Sequence, residues 1–176
     1  MITRRAQDAS RLGETGDAVL HPVALLALGV LILNDHVLKA AFPGLVTGKL
    51  SDIAGVVLLP LVLVAGWELL GAALGRGSEP RARVLALAIL LTGVGFTLVK
   101  VAPPVALAFG WLLGAIQWPV TVFASLAAGS PLVLAPSAAP IVVDPGDLVA
   151  LPALAIAIWV GAARVRRVVG PGVDAP

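Results

Sequence analysis

Long apolar runs separated by short polar knots give the first reading of this chain. Four runs approach the ~20 residues that a spanning helix needs. They cover about 20–41, 52–75, 84–102 and 148–164. A fifth stretch, 105–130, is apolar enough to span but is interrupted by Gln117-Trp118-Pro119, and residues 131–143 after it are proline-rich and too short to cross. Polar tails flank the whole, over residues 1–19 and 166–176, leaving one helical domain over 20–165. No run alternates as a half-buried strand does. The pattern predicts an all-α polytopic transmembrane bundle.

Charge decides how many runs cross. With five crossings, arginine and lysine divide equally between the two sides. If 105–143 instead leaves and re-enters on one side, Arg4, Arg5, Arg11, Arg76, Arg81, Arg83, Arg164, Arg166 and Arg167 all fall on one face. Lys39, Lys49 and Lys100 fall on the other. That asymmetry is what the insertion machinery reads, and it makes the arginine side cytoplasmic. The expectation is therefore four spanning helices plus a re-entrant or interfacial segment broken at Pro119, with both termini cytoplasmic in a bacterial-type inner membrane. Five spanning helices are the alternative.

Composition agrees. Of 176 residues, 59% are hydrophobic and 12% charged, about half the charge of a soluble domain. The mean hydropathy is +1.03. The absence of cysteine removes disulfides and thiolate metal sites, and His21 and His36 are the only histidines, so no metal site is expected. A net charge of +2, split among termini and loops, excludes a nucleic-acid surface. The expected partners are the lipid bilayer and a second copy or another membrane protein. Nothing in the sequence names a cofactor.

The remaining polarity is concentrated. Asn34, Asp35, His36 and Lys39 end the first span, and Thr47, Lys49, Ser51 and Asp52 open the second. Lys39 lies four residues after Asp35, so an ion pair along the helix is expected. Ser51 before an apolar run reads as an N-cap, with Asp52 in the first turn. Asp144-Pro145-Gly146-Asp147 reads as a second helix start. Lys100 reads as a snorkelling lysine. Glu68, inside the second span, is expected to pair with an arginine of the 76–83 loop.

Two resemblances attach to these residues. Gly48-Lys49-Leu50-Ser51-Asp52-Ile53-Ala54-Gly55 resembles part of the loop between the second and third helices of major facilitator transporters. The basic residues that follow in that family are absent, and the spans here are too few. Asp35-His36-Val37-Leu38-Lys39 is similar to the Asp-x-x-x-Lys pattern in the first span of lipoprotein signal peptidases, and Val142-Val143-Asp144 precedes the last span. The asparagine-bearing motifs of that family are missing, so the similarity is one of architecture.

Three functions fit. A membrane-embedded hydrolase acting on a lipid or lipid-linked substrate would use Asp52 with Asp144 or Asp147 as acid and base. Its binding groups would be Asn34, Asp35, His36, Lys39, Lys49 and Lys100. A small ion- or proton-coupled transporter would use the same cluster to carry charge. A non-catalytic scaffold would use it to lock helices together. Whether the chain is an enzyme stays open at this point.

Overall fold

The computed structural model describes residues 15–75 and 82–169. The tail residues 1–14 and 170–176, and the basic loop at 76–81, lie outside the described residues. The described residues form helix and contain no strand. A 3₁₀ turn, Asp17–Leu20, leads into α1, Pro22–Ala41. Helix α2 is Leu45–Ala73, α3 is Ala82–Val101 and α4 is Pro103–Ala127. A 3₁₀ stretch, Pro145–Ala153, runs into α5, Leu154–Val169. Among the described residues, five helices are long and apolar enough to cross a membrane, the fifth counted from Pro145 to Arg167. The chain is a multi-pass helical membrane protein.

The described residues form two compact units, one of 15–75, 82–94 and 149–169, the other of 95–148. In the first unit, direction follows from the packed pairs. Ala24 meets Leu61, and Asn34 meets Thr47 and Ser51, so α1 and α2 are antiparallel. Ala157 and Val160 join Leu61, and Ala153 joins Ala54 and Val57, so α5 runs parallel to α2. Gly93 faces Leu154 and Gly161 faces Leu85, so α3 runs against α5. The four segments alternate in direction, as four crossings require.

The buried positions of this unit are mainly Ala and Val, whereas Leu25, Leu26, Leu69, Leu70, Leu87 and Leu91 are exposed. Lipid tails are as apolar as leucine, so burying leucine gains little there; small residues let backbones approach, and packing supplies the attraction. Pro60 lies inside α2 and is buried.

Helix α2 begins seven residues before the expected position. Ser51 is consequently inside the helix rather than capping it. Gly44 occupies the cap and contributes no side chain, and the Thr47 hydroxyl lies 3.0 Å from both the Gly44 and the Phe42 carbonyls.

In the second unit, α4 does not break at Pro119. It continues for 25 residues, about 37 Å at 1.5 Å per residue. It ends in a Schellman turn: Gly129 has φ +62°, Ser130 N–H donates to Ser125 and Gly129 N–H to Leu126. The chain then returns beside α4 without helical structure. Val133 accepts a hydrogen bond from Trp118 Nε1 at 2.8 Å, and Ala139 N–H donates to Gly110 at 2.9 Å. The return is thus an extended arm rather than a second half-helix.

Gly110 and Gly114 form the groove that receives this arm. A β-carbon at Gly110 would stand 2.6 Å from the Ala139 carbonyl oxygen, and one at Gly114 would overlap the Ser137 carbonyl. The small-residue pair therefore admits backbone rather than a neighbouring helix. Gly114→Ala is expected to dislodge the arm at a cost of about 1–3 kcal/mol. Limited proteolysis with a nonspecific protease, mapped by mass spectrometry, should then cut within 131–143 faster than in the native chain. An unchanged cleavage pattern would refute the fit.

Candidate functional site

The junction of α1 and α2 holds the densest polar cluster of the first unit. Its base is Asn34, which is fully buried and opens a turn of π-helix over Asn34–Leu38. Turns of this kind recur at functional positions. The Asn34 amide donates to the Thr47 carbonyl and to Ser51 Oγ, both at 2.6 Å. Ser51 in turn donates to Asp35 Oδ1 at 2.6 Å, and Lys39 Nζ reaches the same oxygen at 2.7 Å. The donors run in one direction, from the amide through the hydroxyl to the carboxylate. Because the Thr47 carbonyl can only accept, it fixes which end of the amide faces it. Asn34 Oδ1 is buried with no hydrogen-bond partner among the described residues.

Burial falls outward through the cluster. Asn34 is sealed, Ser51 half-buried, and the side chains of Asp35 and Lys39 are 41% and 44% exposed. His36 is exposed, with Nδ1 3.0 Å from the Ile32 carbonyl. Lys49 and Asp52 are half-buried and each engaged in a polar contact. Phe42, Leu45 and Val46, which flank the cluster, are 70%, 78% and 79% exposed.

The expected acids of the second unit serve local structure. Asp144 Oδ1 accepts the Gly146 N–H at 2.8 Å, and its carbonyl accepts the Asp147 N–H at 3.0 Å. Asp147 is buried and receives Lys100 Nζ at 2.6 Å. Lys100 also lies 5.6 Å from the Phe96 ring centre. It does not snorkel; it clasps the two ends of the second unit. Among the described residues, no group of three or more His, Cys, Asp or Glu side chains is placed to hold a metal ion.

A second charged centre lies at the other end of the first unit. Glu68 is 2% exposed and takes Arg164 by both carboxylate oxygens, at 2.5 and 2.9 Å. Gly16 N–H donates to Glu68 Oε2 at 3.0 Å. Arg164 Nε pairs with Asp17 Oδ1. A partner of Glu68 is thus Arg164 of α5; Arg76 and Arg81 of the expected loop lie outside the described residues. The signal for this centre was present in the sequence, since an acid within a span calls for a base at similar depth. Thr47 and Ser51 belonged to the polar junction read from the sequence but had no binding role there, and Arg164 and Asp17 were not assigned to either centre.

No protein-family model, curated protein or solved structure matches this chain. The class rests on fold alone: a helical multi-pass membrane protein with one polar cluster at each end of its main unit.

The two centres differ in depth, and their substitutions should differ accordingly. Glu68→Ala strands a mostly buried guanidinium and is expected to cost about 3–5 kcal/mol. Ser51→Ala removes one link in a part-exposed chain and is expected to cost about 0.5–1.5 kcal/mol. Thermal unfolding in detergent tests the ranking, which equal losses would contradict.

Proposed function

We propose that the chain works at the α1–α2 junction as a membrane-embedded hydrolase acting on a lipid or lipid-linked substrate. The observation that carries this reading is the state of Asp35. Ser51 and Lys39 both engage its Oδ1, so Oδ2 is left to take a proton from an attacking water. Lys39 and His36 stand beside it as binding groups for an anionic head. Exposed Phe42, Leu45 and Val46 adjoin the cluster, where an acyl chain would lie. Asp52, one residue from Ser51, is the second carboxylate of this reading. Asp144, Asp147 and Lys100 take no part in it, since capping and the clasp already occupy them.

The proposed orientation sets this junction on the outer face of the inner membrane and both termini in the cytoplasm, from the partition of arginine and lysine. The Asp17–Arg164 contact supports it by holding the two ends of the first unit on one side.

A second reading is a non-catalytic helix lock. The hydrogen bonds from Asn34 to Thr47 and Ser51 favour it, because they join α1 to α2 without any ligand.

Protein in nanodiscs, supplied with phosphatidylglycerol, phosphatidate or a polyprenyl phosphate, should release a soluble head group or phosphate from one of them. Asp35→Asn should reduce that release by about a hundredfold or more with an unchanged melting temperature. Lys39→Ala should act mainly on KM. A folded Asp35→Asn protein with full turnover, or a native protein that releases nothing, would remove the hydrolase reading. Loss of folding in Asp35→Asn would favour the lock. A single thiol at Gly48, where an added side chain meets open space, should label from outside intact cells with a membrane-impermeant maleimide. Labelling only after permeabilisation would reverse the orientation.

A further inference from the structure

At the end of the first unit away from the α1–α2 junction, two carboxylates share one guanidinium, and they hold it unequally. Glu68 is nearly sealed, grips Arg164 with both oxygens and also accepts the Gly16 N–H. Asp17 meets Arg164 at Nε through Oδ1, and its side chain is 40% exposed. We infer that the turn Asp17–Leu20 is a detachable latch over this end of the bundle. Glu68–Arg164 is its fixed anchor and Asp17 its releasable contact.

Three further features fit a part that can leave as a unit. Ala18 is 2% exposed and sits under the turn as its plug. Gly16 lies close against α2: a β-carbon there would stand 3.2 Å from Leu69, and its φ of +78° favours glycine. The start of α1 does not depend on the turn. The His21 ring accepts the Val23 N–H through Nδ1 at 3.2 Å, and Pro22 opens the helix. His21 itself is extended, with φ −60° and ψ 137°, and its ring stands edge-on to Trp159 at 6.3 Å. The joint between latch and helix is therefore a single extended residue whose ring is held in place. A separate cluster of Ala24, Leu61, Ala157 and Val160, the floor of this test, belongs to the helices alone and does not include Ala18.

Removing the charge of Asp17 should open the latch and leave the floor shut. The chain contains no cysteine, so single introduced thiols report without background. Ala18→Cys tests the latch and Ala157→Cys the floor, each labelled with a water-soluble maleimide in detergent. With Asp17 intact, both thiols should react slowly. Adding Asp17→Asn should speed labelling of the latch thiol about tenfold or more and leave the floor thiol unchanged, as local opening requires. Glu68→Gln, which attacks the anchor, should speed both. A latch thiol whose rate is unmoved by Asp17→Asn would overturn the proposal, because other contacts would then hold the turn. A parallel rise at the floor thiol would overturn it too, since the turn would be part of the core. Full reactivity of the latch thiol with Asp17 in place would also overturn it, by showing that the turn is not seated.

Discussion

A carboxylate surrounded by apolar helices must be met by a positive charge, and in this chain that condition falls on Glu68. Taking both ions from water carries a desolvation cost that their attraction recovers only with good geometry. Two-oxygen contact with Arg164 supplies that geometry. It also sets the register of α2 against α5, which runs parallel to it. The alanine and valine contacts at Leu61, Ala157 and Val160 follow from that register. Packing among small residues is not by itself selective about register, whereas a guanidinium fork is.

The two polar centres of the main unit are built to different rules. The centre at Glu68 is closed and ionic, and it joins three segments distant in sequence. The one at Asn34 is graded, from a sealed amide to a carboxylate open to solvent, and it joins two neighbouring helices. The first resembles a fastening, and the second presents chemistry to its surroundings. At the Glu68 centre, Asp17 Oδ1 and Arg164 Nε meet as an ion pair, whereas Asn34 Oδ1 at the α1–α2 junction has no hydrogen-bond partner among the described residues.

Much of the fold was legible in the sequence because lipid makes hydropathy a strong signal. The spans, the Asp35–Lys39 pair and the capping role of Asp144 followed from local rules of periodicity and spacing. Long-range pairing was less accessible. Glu68 announced its need for a base without naming Arg164, 96 residues away. Ser51 satisfied the local rule for an N-cap so well that its place inside α2 was hidden. What moved the helix start to Leu45 was the turn at Pro43-Gly44, with Thr47 bonding back to Phe42 and Gly44. Pro119 suggested a break, but the helix continues through it, as helices in lipid can when neighbouring groups take up the freed backbone groups. Nothing local in the sequence showed that an extended backbone would fill the groove at Gly110 and Gly114.

The clasp between Lys100 and Asp147 has a consequence for how this protein can vary. The two residues are 47 apart in sequence and 2.6 Å apart in space. The chain between them therefore begins and ends at one point. Because a 25-residue helix and an arm seated in its glycine groove fill the interval, its length can change only if helix and arm change together, while Lys100 and Asp147 continue to fix its two ends.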